Sequence, residues 1–503
     1  MTQVVDKDLI SIQETRDLLR KAKVAQQKLG KMNQNEIDRI CKAIKDVALQ
    51  HADRLAKLAV EETGFGIHED KIIKNYFASQ VVYDSIRDMK TVGVVNEDNE
   101  KKVFEVAVPV GVIAGLIPST NPTSTVIYKA LISIKAGNAI VLSPHPSAKN
   151  CIIETARVII DAAEAAGMPK GCIGCVMEIS MAGTDELLKN NMTKLILATG
   201  GEAMVKAAYS SGNPAIGVGP GNGPAFIEKS ADFSQAVSHI IESKTFDNGT
   251  ICASEQSIIV EKESEVAVLT ELRKQGCYVL NDEEKERLDQ ILLSPKMTMN
   301  PKTVGKDAAY IAKMADIDVP IHTKVLIGKE TNVGYKVPLS REKLCPVLGF
   351  YVADDWRKAC ERAIEILDNE GAGHTMILHS HNEDLIKEFA LEKQVSRLLI
   401  NTPGALGGIG GTTGIAPALT LGCGAIGGSA TSDNITPMNL LNLRRVAYGI
   451  RELASIRSKV NTELNVEPIQ METTDVSYDL DEITNIIINK LKKENILKYK
   501  EEI

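Results

Sequence analysis

Aromatic residues are scarce in this 503-residue chain: they make up 4% of it, and Trp356 is the sole tryptophan. Stacking platforms for bases or sugars are therefore not expected. No basic block occurs and the formal net charge is −8, which argues against a nucleic-acid partner. No uninterrupted apolar run approaches the roughly 18 residues that would cross a bilayer, so no membrane partner is expected. The opening MTQVVDKDLISIQETRDLLRK lacks the apolar core of a secretion signal. Nine cysteines, odd in number and scattered, make no disulfide framework and fit a reducing compartment. A cytoplasmic protein is expected. Neither a P-loop nor HExxH is present, and Cys172-Ile-Gly-Cys175 has no second ligand pair to make it a zinc site. No metal is expected.

What remains is an ordinary globular composition, 44% apolar and 25% charged, long enough for roughly two to four domains. Up to residue 90 the apolar positions, among them Ile37, Ile40, Ile44 and Val47, recur at helical intervals. Residues 91–112 turn β-rich around the hydrophilic 96–102. This reads as a hairpin, used for oligomer contacts or as an ordinary sheet edge. From residue 111 strands alternate with helices: 111–118, 139–142 and 195–197 are strand-like, with helices at 126–135 and from Ser147 to Ala166. Such alternation predicts a parallel sheet with ligands at the strand C-termini. A second α/β unit follows from residue 257. Residues 401–434 form a long Gly/Ser/Thr/Asn-rich loop region, of a length that is usually functional. Gly422-Cys-Gly-Ala-Ile-Gly427 matches GxGxxG but lacks the strand before it and the helix after it.

The chemistry centres on Cys252, in a small polar segment between a helical run ending at Lys244 and the β-branched Ser257-Ile-Ile-Val260. A buried, inert cysteine is the ordinary alternative. The small neighbours Asn248, Gly249 and Thr250 leave the thiol accessible and favour a nucleophile. Asn121 follows the first β-α strand, where its amide could meet an oxyanion, with the Cys252 backbone N–H as the second donor. Helix N-termini at Ser147 and at Gly200–Gly201 are candidate phosphate sites. Of the histidines, His374 is read as structural, and His379 and His381 as surface residues.

Five separated motifs occur in the order seen in the aldehyde dehydrogenase superfamily: Pro118-Ser-Thr-Asn121-Pro, Thr199-Gly-Gly201, Gly249-Thr-Ile-Cys252-Ala-Ser-Glu-Gln, Glu342-Lys-Leu-Cys-Pro346 and Gly373-His-Thr-Met-Ile-Leu-His379. Over residues 8–455 the chain resembles the coenzyme-A-acylating branch. Leu419-Thr-Leu-Gly-Cys-Gly-Ala-Ile-Gly-Gly428 is similar to the aldehyde half of bifunctional aldehyde–alcohol dehydrogenases.

The resemblance implies an α/β fold with two Rossmann-like domains and a β-hairpin oligomerisation element. Residues 1–91 and 111–235 would bind dinucleotide and coenzyme A, 236–437 would carry the nucleophile, and 92–110 with 438–455 would join subunits into a homodimer or homotetramer. It also implies catalysis by Cys252 and Asn121. Cofactor contacts would come from Ser119, Thr120, Ser143, Pro144, His145, Thr199, Gly200, Gly201, Val218, Gly219, Glu342 and Leu344. NAD is the expected cofactor, with NADP left open because Ser143 stands where hydrolytic members often carry lysine. Those members activate water with a glutamate; the matching position here is Val218, which points to coenzyme A as the acyl acceptor and to an acyl-CoA product from a short-chain aldehyde, acetaldehyde or propionaldehyde. The competing readings are a hydrolytic aldehyde dehydrogenase and a catalytically silent shell-assembly scaffold. Residues 467–478 read as a linker and 479–503 as an amphipathic helix, either packed on its own protein or, as in similar microcompartment enzymes, an encapsulation peptide for shell proteins.

Overall fold

In the computed structural model, which describes residues 6–464 and 479–493, the chain begins with helices Lys7–Leu29, Gln34–Gln50, Ala52–Thr63 and His68–Tyr76. Local chemistry sets their ends. Asn33 and Glu36 form a reciprocal capping box at the second. Gly64 closes the third with φ 65°, a left-handed turn that costs glycine nothing.

The predicted β-α alternation builds a five-stranded parallel sheet in the order Ile173–Cys175, Ala139–Pro144, Val112–Ile117, Thr193–Thr199, Ala215–Val218. Val112–Ile117 and Ala139–Pro144 are buried at every position, as expected of strands covered on both faces. Helix Pro122–Lys135, buried along its whole length, packs against this sheet. A seven-stranded sheet, its neighbouring strands all parallel, follows the order Cys277–Val279, Val325–Lys329, Val347–Ala353, Glu255–Glu261, Gly223–Ile227, Gly373–His379, Val395–Ile400. Strand Gly223–Ile227, expected with the dinucleotide-binding part, therefore belongs to the second sheet. It pairs with Glu255–Glu261 and Gly373–His379, and the glycine-proline stretch before it is the crossing between sheets.

The hairpin strands Gly93–Asp98 and Val103–Pro109 form a third sheet with Leu441–Ala447, where Arg445 pairs with Glu105 at 3.1 Å. Contacts divide the chain into a large unit, Met1–Asp98 with Phe104–Val446, and a small one, Asn99–Val103 with the residues from Ala447 onward. The small unit contains helices Leu453–Leu464 and Leu480–Lys493, neither of which buries a side chain. The linker expected at 467–478, and residues 494–503 of the expected terminal helix, lie outside the described residues. Among the described residues no helix is long and apolar enough to cross a membrane.

Candidate active site

Cys252 lies where sequence spacing placed it, between helix Phe233–Thr245 and strand Glu255–Glu261, after a short 3-10 turn at Phe246–Gly249. Two consecutive residues of that turn, Asp247 (φ 50°) and Asn248 (φ 52°), are left-handed. This conformation costs an L-residue about 1–2 kcal/mol, and only Asn and Asp adopt it with any regularity besides glycine. Side-chain bonds hold it. The fully buried Asp247 carboxylate accepts from Lys71 Nζ (2.9 Å), Lys74 Nζ, Thr250 Oγ1 (2.7 Å) and the Ile67 N–H (2.7 Å). The Asp247 N–H donates to Asp70 at 2.7 Å, and Asn248 Nδ2 to the Gly305 carbonyl at 3.0 Å.

Asn121 stands at the N-cap of helix Pro122–Lys135, and its amide reaches the same loop. Oδ1 accepts from Lys74 Nζ at 2.6 Å; Nδ2 donates to the Thr250 carbonyl and to Thr120 Oγ1, each at 3.2 Å. The structure thus ties Asn121 to the loop that carries Cys252, 131 positions further along the chain (252 − 121). Sequence reading missed the group that joins them: Lys71, Lys74, Asp247 and Thr250. The available signal was slight, two lysines at i and i+3, which usually mark a solvated helix face. Here both are almost fully buried.

The thiol of Cys252 is half-buried, and burial pushes it up to about 12; Glu342 and Cys423 push the same way, and Arg397 opposes them. Glu342 is itself pushed up to about 8, first by burial and then by Glu370. Glu342 Oε1 accepts the Gly221 N–H at 2.8 Å, and Gly221 lies so close to Cys252 that a Cβ there would overlap the Cys252 carbonyl oxygen. Arg341 pairs with Glu370 at 2.9 Å. In this electrostatic setting the thiol is protonated at neutral pH.

A cavity of about 1020 Å³ opens on the C-terminal side of the five-stranded sheet. Seven expected cofactor residues line it: Ser143, Pro144, His145, Thr199, Gly200, Gly201 and Glu342. Pro118 and Pro220 are also on its wall, and their chain neighbours Ser119 and Gly221 lead to Asn121 and Cys252. Five expected contacts are not on that wall. Ser119 and Thr120 form the turn before Asn121, and the Thr120 carbonyl accepts from Lys71 at 3.0 Å. Val218 is buried at the end of its strand beside Thr199, Gly219 follows it, and the Leu344 carbonyl accepts from the Gly305 N–H at 2.8 Å.

The two expected phosphate sites separate. Helix Glu202–Tyr209 starts at Gly201 without a side-chain cap, and Thr199 Oγ1 just before it is buried without a partner. Its N-terminus is open to an anion. Ser147, by contrast, falls in a 3-10 turn and does not cap the following helix, Lys149–Ala165. There Glu62 receives the Asn150 and Cys151 N–H groups at 2.8 and 2.7 Å, so a carboxylate already occupies that helix end. His374 is buried with Nδ1 2.9 Å from Thr375 Oγ1 and Nε2 unpartnered, and burial drives it down to about 3, so it is neutral. His379 was expected at the surface, but the strand places it in the interior, 5.8 Å from the His239 ring.

The aldehyde dehydrogenase family model matches residues 4–329. The chain belongs to the aldehyde dehydrogenase family. Among solved structures, a probable aldehyde dehydrogenase from Listeria monocytogenes is 62% identical with a TM-score of 0.89, covering 90% of this chain and 100% of that one. An acetylating aldehyde dehydrogenase from Geobacillus thermoglucosidasius is 52% identical with a TM-score of 0.88, covering 90% and 99%. A Rhodopseudomonas palustris propionaldehyde dehydrogenase, with bound CoA and an acylated cysteine, is 26% identical with a TM-score of 0.78, covering 86% and 97%. The bifunctional aldehyde-alcohol dehydrogenase AdhE of Escherichia coli is 42% identical over 442 residues, 87% of this chain. The chain spans about half the length of that curated relative, 50%.

Proposed function

We propose that this aldehyde dehydrogenase oxidises a short-chain aldehyde, acetaldehyde or propionaldehyde, to its acyl-CoA, reversibly, through a thioester on Cys252. One observation carries the choice of acceptor. Val218, at the position of the hydrolytic members' glutamate, is a buried apolar side chain, and the carboxylate acting most strongly on Cys252, Glu342, is tied to the Gly221 N–H. With an apolar side chain at that position among the described residues, a thiol is the fitting second nucleophile.

The Cys252 thiol first loses its proton to solvent; the thiolate then adds to the aldehyde carbon, and the carbonyl oxygen takes up its negative charge. Asn121 Nδ2–H, on exchanging its 3.2 Å bond to Thr120 Oγ1 for the substrate oxygen, and the Cys252 N–H are the donors for that oxygen. When bound, the oxidised nicotinamide supplies the hydride acceptor. Loss of hydride re-forms the C=O bond and leaves the acyl group on Cys252; the coenzyme A thiolate then displaces the Cys252 thiolate. The cavity residues fit a dinucleotide. The open helix end at Gly201 and the unpartnered Thr199 hydroxyl suit a phosphate, Lys206 adds positive charge, and Leu116, Ile117 and Met204 offer apolar walls. Glu342 and Glu370 are the acidic residues lining it. The stretch Ser143-Pro-His-Pro-Ser147 that ends the second strand carries no carboxylate to exclude a 2′-phosphate, so NADP is accommodated beside the favoured NAD.

The test is incubation with aldehyde and NAD, with and without coenzyme A. Acyl-CoA formation that depends on coenzyme A is the expected result. Rapid acid formation without it would establish the hydrolytic reading, and unchanged NADH production by Cys252→Ala would overturn Cys252 as nucleophile.

The assignment extends to partners. The three-stranded sheet joins subunits into a homodimer or homotetramer. The helix Leu480–Lys493 exposes Leu480, Ile486 and Ile487 and presents an apolar stripe to shell proteins, inside a bacterial microcompartment that would confine the reactive aldehyde.

A further inference from the structure

We propose that Lys74 is a positioning residue for the oxyanion donor: together with Asp247 it dictates which end of the Asn121 amide faces the reacting oxygen. This rests on the reading of Asn121 as that donor.

An asparagine amide has two orientations of nearly equal shape, related by a half-turn about its last bond. One presents N–H to an oxyanion and assists; the other presents a carbonyl oxygen and repels. The choice is set here by partners whose roles are fixed. A lysine ammonium has three donors and no acceptor, so the amide atom 2.6 Å from Lys74 Nζ must be oxygen. A backbone carbonyl can only accept, so the amide atom 3.2 Å from the Thr250 oxygen must be nitrogen. Turning the amide over would set two donors face to face at Lys74 and two acceptors face to face at Thr250, in a part-buried setting where unmade bonds are costly.

Lys74 is itself held without slack. Its three N–H groups have three partners: Asn121 Oδ1 at 2.6 Å, Thr250 Oγ1 at 2.8 Å and the Asp247 carboxylate. A saturated ammonium is a fixture, not a proton shuttle. Lys71, one helical turn earlier, grips the same Asp247 oxygen at 2.9 Å and the Thr120 carbonyl at 3.0 Å. Helix His68–Tyr76 therefore clamps the chain on both sides of the site, the turn leading into Asn121 and the loop leading into Cys252. The adjoining Asn75 extends the clamp: its Oδ1 accepts from Thr123 Oγ1 at 2.8 Å, and its Nδ2 donates to the Ala52 carbonyl at 2.9 Å.

The experiment compares Lys74→Met, Asn121→Ala and the double variant in the full-length enzyme, with aldehyde, NAD and coenzyme A. Loss of one oxyanion donor costs roughly 100- to 1000-fold, and Asn121→Ala is expected in that range. Lys74→Met is expected to lower kcat/KM for the aldehyde about 10- to 100-fold, as part of the same loss, with the KM values for NAD and coenzyme A unchanged. The double variant is expected to be slowed by clearly less than the product of the two single effects, because the share of the lysine's effect that runs through Asn121 is already lost while its hold on Thr250 and Asp247 is a separate one. A double variant slowed by the product of the two single effects, or a Lys74→Met enzyme at the wild-type rate, overturns the proposal. If Lys74→Met does not fold, Lys74→Arg takes its place in the same cycle, and additivity again overturns it. Asn121→Ala at the wild-type rate would instead remove the oxyanion reading of Asn121 itself.

Discussion

At the scale of single residues, the charge state of Cys252 is the quantity to measure. Glu342, pushed up to about 8 by burial and Glu370, is mostly neutral at pH 7 and ionised above 8; its ionised form raises the thiol. Glu342→Gln removes that charge. Alkylation of Cys252 by iodoacetamide in the cofactor-free enzyme is then expected to rise at lower pH than in wild type, with the difference growing above pH 8. A profile shifted to higher pH, or unshifted, would show that Glu342 does not govern the thiol. Gly221 offers a steric test. Gly221→Ala places a methyl group on the Cys252 carbonyl and displaces the loop, so kcat is expected to fall at least tenfold, because misplacing reacting groups by about an ångström is costly. Wild-type kcat in that variant would mean that the loop can move aside without consequence.

At the scale of elements, the left-handed turn and helix His68–Tyr76 depend on each other. Asp247 is the shared anion of two buried lysines, so Asp247→Ala leaves two buried cations uncompensated and releases the strain that they restrain. Breaking a buried pair by removing one partner typically costs about 3–5 kcal/mol. A loss of that size, with a lowered melting temperature and impaired thioester formation, is expected; a melting temperature equal to wild type would show that other bonds hold the turn. This element also marks the reach of the sequence. The helix and strand beside Cys252 were legible because apolar spacing and β-branching report local structure directly. Lys71 and Lys74 were not. Their i, i+3 spacing fits a solvated face equally well, and only the packing of residues 67–74 against 247–250 reveals that they are buried. Ser147 failed for a related reason: its sequence suits a helix cap, but Glu62, 85 positions earlier (147 − 62), supplies the capping oxygens from another helix.

At the scale of the whole molecule, the described part of the terminal helix buries none of its side chains, which fits a role away from the chemistry. Deleting residues 467–503 is expected to leave aldehyde oxidation within about twofold of wild type, since surface changes remote from a site perturb it little. The same deletion is expected to abolish co-localisation with shell proteins. Undiminished co-localisation would defeat the encapsulation proposal, and lost activity would tie the tail to the fold.

The sequence by itself determined the α/β alternation, the cysteine set between a helix and a strand, and the order of motifs that points to the family. Each of these is written in residues close together in the chain or in short strings with fixed local geometry. Tertiary structure decided the rest. It moved strand Gly223–Ile227 into the second sheet, closed one helix end with Glu62 while leaving the other open at Gly201, and set Glu342 against Gly221 beside the nucleophile. It also joined Asn121 to the Cys252 loop through Lys74. Burial and hydrogen-bond partnership depend on which distant segments meet, and no local pattern in the chain encodes that meeting.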